Sequence, residues 1–324
     1  MPPVPPNPSP ATRSAVVIVN GRARQARRLW SEERVRAALG PAIDPAFVYP
    51  AGPAETAAAA RRAANEGVGL VIVAGGDGTV NRAAGALAGS NVPLGILPLG
   101  TGNDLVRTLG APATMSEALA EIPRATPRPC DLVEVNGDPS CTVGLLGVVA
   151  ESAARVIRLG SRESRWRPLV EWLGAASWRI SGTVSLLGPG LARRARFTHD
   201  DPASGHQQTV ERDTIGVFLA NGTRLGGGLT LPVPARVDDG VFEICVVGAV
   251  PRAKLLYGFT CLMRGWTLPA GVLDVYPARR ARIEFDRPGP FSADGELFPS
   301  ATSFDVRIRP GALLVLGGPG TGPV

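Results

Sequence analysis

Apolar positions along the chain fall into short blocks separated by polar, alanine-rich or glycine-rich stretches. Ala15–Val19 is wholly apolar and largely β-branched, which predicts a strand buried on both faces. Phe47–Tyr49, Leu70–Ala74 and Leu94–Leu97 predict three more strands. Helices are expected over about Gln25–Leu39, Glu55–Asn65 and Val80–Leu87, with Glu66-Gly67 ending the second. A short helix over Asp104–Leu109 follows the fourth strand. This alternation of strand and helix predicts an α/β fold with a doubly wound parallel sheet.

The pattern changes near Pro123–Pro129. Short strands then dominate: Asp131–Val135, Cys141–Leu146, Thr183–Leu187, Ile215–Ala220, Phe242–Val247, Ala281–Phe285, Phe304–Ile308 and Leu313–Leu316. Asn136-Gly137 between the first two is a hairpin turn signal. Helices are expected at Ala150–Leu159, Trp166–Ser177 and Pro251–Arg264, and His199–Gln208 reads as a polar loop. This half is expected to be a β-sandwich or open barrel carrying a few helices. The expected division is a proline-rich tail over 1–13, an α/β domain over 14–127, a β-rich domain over 128–303 and a tail over 317–324.

The length of 324 residues suits two domains. With 44% hydrophobic and 19% charged residues, the chain is not wholly disordered. No apolar run approaches the ~18–20 residues of a membrane span. The start, Met-Pro-Pro-Val-Pro-Pro, has neither a basic segment nor an apolar core, so no secretory signal is expected. The four cysteines (Cys130, Cys141, Cys245, Cys261) lack close C-x-x-C spacing and read as reduced thiols of a cytoplasmic chain. The net charge is +6, and all 34 basic residues except Lys254 are arginine. That bias fits GC-rich coding, yet arginine also favours phosphate. Nucleotides, anionic lipid surfaces and nucleic acid all remain compatible with it.

Candidate chemistry is concentrated in two turns. In Val71-Ile-Val-Ala-Gly75-Gly76-Asp77-Gly78-Thr79-Val-Asn81 a buried strand gives way to a helix. Glycines there let backbone approach a phosphate chain closely, and the helix start offers N–H groups to it. Asp77 suits a metal or a ribose, and Thr79 can cap the helix or donate to phosphate. Leu97-Pro-Leu-Gly100-Thr101-Gly102-Asn103-Asp104 repeats the strand-to-helix arrangement. Parallel strands would place both turns at one sheet edge, where open α/β folds bind ligands. Asp77 and Asp104 together would supply oxygen ligands for Mg²⁺. Taken singly, each turn also admits a structural reading: a tight connection with a capping Thr79 or Asp104. Asp294-Gly295-Glu296 near the end could aim one carboxylate at a substrate and one at a metal, or be a surface turn.

Asn20 after the first strand, Gly75–Thr79, Pro98–Asp104 with Arg107, and Asp294-Gly-Glu296 together resemble the diacylglycerol kinase catalytic family, which includes soluble bacterial lipid kinases, sphingosine kinases and ceramide kinases. Ala220-Asn-Gly-Thr-Arg-Leu-Gly226-Gly-Gly228, Pro232, Ala235 and Asp238-Asp239-Gly240-Val-Phe-Glu-Ile resemble its second domain. The resemblance spans about residues 15–316. It implies an ATP- and Mg²⁺-dependent kinase that phosphorylates a hydroxyl of a lipid or lipid-like acceptor, with the active site in the cleft between two domains. The strands over about 304–316 would pack back toward the first domain. Asn20, Gly75, Gly76, Asp77, Gly78, Thr79, Gly100, Thr101 and Asn103 would hold ATP. Asp77, Asp104 and Glu296 would surround the catalytic Mg²⁺, and Asp294 would be the general base, with Glu296 beside it in the catalytic pair. Asp239, with the carbonyls of Arg236 and Val241, would hold a structural Mg²⁺. A cytoplasmic enzyme making peripheral contact with an anionic membrane surface is implied, and a homodimer is compatible with it. No nucleic-acid signature is present.

Three positions depart from the family's pattern. Asn20-Gly21-Arg22-Ala23-Arg24 stands where the family has Asn-Pro-x-Ser-Gly, Arg82 replaces a glutamate, and Gly147-Val148-Val149-Ala150 lacks an aspartate. Arg22, Arg24 and Arg82 thereby gain a place to be tested beside ATP. Two rival functions remain: a kinase of a soluble alcohol, like NAD kinases, and a catalytically weak nucleotide-binding regulator at a membrane surface. Trp166, Trp172 and Trp178 among arginines suit a membrane interface, although helix packing against the second domain is the expected role. Leu255, Leu256, Phe259 and Leu262 are expected to be core. A metal at His199 and His206 is less expected than a solvated loop.

Overall fold

A computed structural model describes residues 12–23, 25–100, 103–140, 143–160, 164–173, 175–187, 192–225, 229–293 and 296–317. The expected tails over 1–13 and 317–324 therefore fall almost wholly outside the described residues. The first half runs β1 (Arg13–Val19), α1 (Ala26–Leu29), α2 (Glu32–Leu39), β2 (Ile43–Val48), α3 (Pro53–Asn65), β3 (Leu70–Gly75), α4 (Asp77–Leu87), β4 (Leu94–Pro98), α5 (Asp104–Thr108) and α6 (Met115–Glu121). The strands lie in the order β2-β1-β3-β4, each parallel to its neighbour. Val17, Val19, Leu70 and Ile72 pack under α1, α2 and α6, whereas Ile18, Val71 and Val73 pack under α3, α4 and α5. Helices on both faces explain why the inner strands β3 and β4 are apolar and buried at every position, whereas the edge strand β2 carries Asp44 and has exposed positions.

Two expectations change here. The helix expected over Gln25–Leu39 is two helices, because Ser31 is extended and accepts a hydrogen bond from Arg34 N at 3.2 Å, so a new helix starts after it. Helix α6 was not expected, although Thr114 and Glu117 form a capping box at its start.

The second half runs β5 (Pro127–Val135), β6 (Asp138–Ser140), β7 (Val143–Gly147), α7 (Val148–Leu159), α8 (Arg167–Leu173), α9 (Ala175–Leu187), β8 (Arg193–Asp200), β9 (Gln207–Ala220), β10 (Arg224–Leu225), β11 (Leu229–Thr230), β12 (Phe242–Gly248), α10 (Arg252–Arg264), β13 (Leu273–Ala278), β14 (Arg280–Ala293) and β15 (Glu296–Leu316). Asn136 (φ 51°) and Gly137 (φ 94°) make the left-handed turn between β5 and β6. The long strands β9 and β14 each pair with β8 over one half and β7 over the other. The sheet therefore folds around a core that includes Phe197, Phe242, Phe291 and Phe304, which is the β-sandwich-like arrangement. Strand β15 pairs with β14 and β5 and then meets β4 in parallel, Val315 opposite Leu94. The chain thus returns to the first sheet at its end.

Thr183–Leu187 is not a strand but the last part of helix α9. Ser177, Ser181 and Ser185, spaced four apart, are buried along it. Ser181 Oγ donates to the Ser152 carbonyl of α7 at 3.0 Å, and Gly182 lies against Phe259 of α10. Packing between helices outweighs the strand preference of Thr183 and Val184. The polar loop is shorter than expected, because β8 reaches Asp200 and β9 starts at Gln207. His199 is buried and its ring lies 5.6 Å from that of Tyr276. Cys130, Cys245 and Cys261 are buried free thiols, and Cys141 lies outside the described residues. Among the described residues no helix is long and apolar enough to cross a membrane.

Candidate active site

Parallel strands place the ends of β1, β3 and β4 at one edge of the sheet. Asn20 N donates to the Ala74 carbonyl at 2.9 Å, and its side-chain Nδ2 donates to Thr79 Oγ1 at 2.9 Å. Leu99 N donates to the Gly75 carbonyl at 2.8 Å, which joins the two glycine turns. The turns touch through their backbones: a Cβ on Gly100 would lie 2.8 Å from Gly76 Cα and 2.7 Å from Asn103 Oδ1. Only hydrogen side chains allow this approach. Asp77 Oδ1 accepts from Leu105 N at 3.2 Å, so the first residue of α4 caps α5. Gln25 Nε2 holds the Gly100 carbonyl at 3.0 Å, a residue the sequence reading did not single out.

This edge has the properties of a phosphate cradle. No side chain caps α4 at Gly76, so the N–H groups at its start face the turn with the positive end of the helix dipole. Space beside Gly78 is open, with nothing within 4 Å of where a Cβ would sit. Asn103 has a left-handed backbone (φ 53°), and its buried Oδ1 lacks a hydrogen-bond partner. Asn20, Gly75, Gly76, Asp77, Gly78, Thr79, Gly100 and Asn103 are therefore brought together. Thr101 lies outside the described residues, as do Arg24, Gly102, Asp294, Gly295 and the side chains of Asp104 and Glu296. Arg22 Nη1 binds the Ala51 carbonyl at 2.9 Å, across the loop after β2.

A second constellation lies where the halves meet. Asp131, 3% exposed, accepts from Gly240 N and Gly311 N at 2.7 Å each. Its carbonyl accepts from Asn221 Nδ2 at 2.8 Å, and its N–H donates to the Val237 carbonyl. One buried carboxylate thus ties β5, the 237–240 segment and the bend within β15. Asp239 Oδ1 accepts from Val241 N at 3.1 Å. Burial raises the Asp239 carboxyl above its usual range, and it pushes the buried Glu243 carboxyl up to about 7, with the nearby Asp239 charge adding to the effect. Glu243 Oε2 has no hydrogen-bond partner. Uncompensated carboxyl oxygens of this kind fit a hard divalent cation. Arg236 instead pairs its side chain with Asp238 at 3.0 Å, which leaves its carbonyl as the only donor it could offer. Asp131 and Glu243 were not assigned site roles from sequence. For Glu243, a charged residue inside the otherwise apolar strand β12 was the available signal. Among the described residues no group of three or more His, Cys, Asp or Glu gathers into a metal cluster.

Comparison with known proteins agrees with this geometry. Residues 14–135 match the model of the diacylglycerol kinase catalytic domain, and residues 197–317 match that of the YegS C-terminal NAD kinase beta sandwich-like domain. The "Probable lipid kinase YegS-like" protein of Xanthomonas euvesicatoria pv. vesicatoria is 30% identical over 71% of this chain and 72% of its own length. The chain belongs to the diacylglycerol kinase catalytic-domain family. It is a kinase. A "Diacylglycerol kinase" of Mycobacterium tuberculosis is 28% identical over 78% of this chain and 77% of its own. The fold of this family member matches a crystal structure of a diacylglycerol kinase from Bacillus anthracis str. Sterne. The TM-score is 0.69 and the identity 21%, over 95% of this chain and 98% of that one. The first family model covers both glycine turns. The second covers Asp239, Asp294 and Glu296. Helices α7, α8 and α9 lie between the two matches.

Proposed function

We propose that this kinase transfers the γ-phosphoryl group of ATP to a hydroxyl of a lipid or lipid-like acceptor of diacylglycerol or sphingoid type. The observation that carries the acceptor reading is an apolar cavity of about 180 Å³ on the face of β7, β9, β12 and β13 that turns away from the Phe197 and Phe291 core. Helices α7, α9 and α10 wall it through Val149, Leu186 and Phe259, and Leu145 of β7 forms part of its floor. Leu145 pairs with Ser292 of β14, two residues before Asp294. An acceptor's chain in this cavity would lie beside the end of β14, which immediately precedes Asp294 in the sequence. Leu255, Phe259 and Leu262, expected as core, line this cavity.

In this reading Asn20, Gly75–Thr79, Gly100, Thr101 and Asn103 hold the phosphates of ATP at the sheet edge, in the cleft between residues 14–127 and 128–303. Asp294 accepts the acceptor's hydroxyl proton. The hydroxyl oxygen bonds to the γ-phosphorus as the bond to the bridging oxygen of ADP breaks. Asp77, Asp104 and Glu296 would hold the catalytic Mg²⁺. Asp239, with the carbonyls of Arg236 and Val241, would hold a structural one beside Glu243. Magnesium, when bound, would supply positive charge to the phosphates; orientation and proton transfer belong to the chain's own residues. The enzyme would act from the cytoplasm at the membrane surface.

The test is phosphate transfer from labelled ATP to a panel of diacylglycerol, sphingoid base and NAD⁺, with product mass spectrometry. Transfer to a lipid alcohol is expected, and its loss in Asp294→Asn with melting and ATP binding retained. Transfer to NAD⁺ alone would refute the acceptor, and full activity of Asp294→Asn would refute the base. ATP turnover no faster than that of the variant would identify a regulator.

A further inference from the structure

Helix α7 presents two chemically different faces. Val148, Val149, Ser152 and Ala153 line the apolar cavity. Glu151, Ala154, Arg155, Arg158 and Leu159 turn instead to a second cleft, of about 490 Å³, which Pro290 of β14 and Ser300 of β15 line from the other side. The two spaces share no lining residue, and neither glycine turn contributes to the second one. One helix therefore separates an apolar space from a charged one.

The charge of this cleft is set from behind. A glutamate and an arginine four residues apart on a helix normally pair with each other. Glu151 and Arg155 have that spacing, yet Glu151 pairs with Arg193 of β8, whose side chain is only 8% exposed. The Arg193 guanidinium also donates to the carbonyls of Arg287 at 3.3 Å and Pro288 at 3.0 Å. Gly289 admits it, since a Cβ there would lie 2.9 Å from Arg193 Nη1. A buried guanidinium without its carboxylate would be strongly destabilising, so Glu151 stays engaged. Its charge is thereby cancelled. Arg155 and Arg158 are exposed, and neither has a hydrogen-bond or ion-pair partner among the described residues. The lining is left with two uncompensated positive charges.

Residues three apart on a helix lie about 5–6 Å apart at Cβ, a span at which two planar guanidiniums can grip one tetrahedral dianion. An acyl chain would find only Ala154, Leu159 and Pro290 as apolar lining. We infer that this cleft is a second anion site, which binds a small soluble phosphomonoester: Arg155 and Arg158 hold the phosphate, the Ser300 hydroxyl donates to it, and the remaining volume takes the ester group. Its place gives it a regulatory consequence. Helix α7 also walls the apolar cavity, and Pro290 stands two residues before Ser292, which pairs with Leu145 of the cavity floor. An occupant braces both walls and lowers the KM of the acceptor. That consequence rests on the lipid-acceptor reading, whereas binding at the cleft does not.

The experiment is calorimetric titration of the full chain with glycerol 3-phosphate, with glycerol as the uncharged control and phosphatidic acid in phosphatidylcholine vesicles as the lipid-borne phosphate. Wild type is expected to bind glycerol 3-phosphate and not glycerol. Arg155→Gln and Arg158→Gln alter only exposed charge, so folding is secure. Each should weaken binding about ten-fold, and both together about a hundred-fold, with melting temperature and ATP affinity unchanged. Gly78→Ala, which fills the open space at the nucleotide edge, should bind glycerol 3-phosphate as wild type does. Wild-type affinity in the double variant overturns the inference, as does binding that Gly78→Ala abolishes, or binding of the phosphatidic acid vesicles alone. Phosphorylation of diacylglycerol in neutral detergent micelles is measured alongside, with and without glycerol 3-phosphate. The acceptor KM should fall in wild type and not in the double variant, and an unchanged KM overturns the regulatory consequence. Activity without glycerol 3-phosphate binding overturns the cleft alone, and binding without activity overturns the acceptor reading alone.

Discussion

Gly78→Ala separates a phosphate cradle from a mere turn. Gly78 lies in the first turn of α4 with an ordinary backbone conformation, and a Cβ there would meet no atom within 4 Å. If the turn served only to connect β3 with α4, alanine would be harmless. It would raise stability by up to about 0.5–1 kcal/mol, the usual difference between alanine and glycine in a helix. If the open space is where phosphate meets backbone, the added methyl occupies the ligand's position. Displacing the phosphates by about 1 Å would cost on the order of a hundred-fold in kcat/KM. The expected outcome is therefore a melting temperature equal to or above wild type with ATP binding severely weakened. Calorimetric titration of ATP and thermal melting of the same sample give both quantities. Wild-type ATP affinity in a folded Gly78→Ala protein would refute the cradle.

Gly100→Ala should behave differently, because its Cβ would sit 2.8 Å from Gly76 Cα, a backbone atom that cannot swing aside. Loss of about 1–3 kcal/mol of stability together with ATP binding is expected, read by urea denaturation. Asp131→Ala removes the acceptor of the Gly240 and Gly311 N–H groups. A drop of about 3 kcal/mol or more is expected in the same assay. Burial pushes the Cys130 thiol from 9.0 up to about 11. The folded chain holds that proton more tightly than the unfolded one, so this stability is present below pH 9 and is lost as pH rises through 11. Cys130→Ala should flatten the fall between those values relative to wild type, and iodoacetamide should leave Cys130 untouched in the native protein at pH 8.

Much of the fold was legible because its physics is local. Strands β3 and β4 are apolar on every residue, and burial under helices on both faces accounts for that. The glycine turns were legible too, since few arrangements other than a close backbone approach require Gly76 and Gly100. Sequence spacing misled where tertiary packing governed. Ser31 splits a helix that apolar spacing alone runs together. Thr183 and Val184 favour a strand but are held in α9 by the contacts of Ser181 and Gly182 with α7 and α10.

Sequence by itself determined the chemistry on offer: two glycine turns with Asp77 and Asp104, a carboxylate pair at Asp294 and Glu296, and an arginine surplus. These follow from residue type and short spacing, which the chain carries whether or not it is folded. Only the tertiary structure decided that Asn20 bonds Thr79, that Gly76 touches Gly100, and that Asp131 gathers segments more than a hundred residues apart. It also decided that the exposed Trp166, Tyr257 and Trp266 stand on one layer of packed helices beside an apolar cavity. Such contacts depend on which faces of distant elements meet, and no local pattern of residues encodes that.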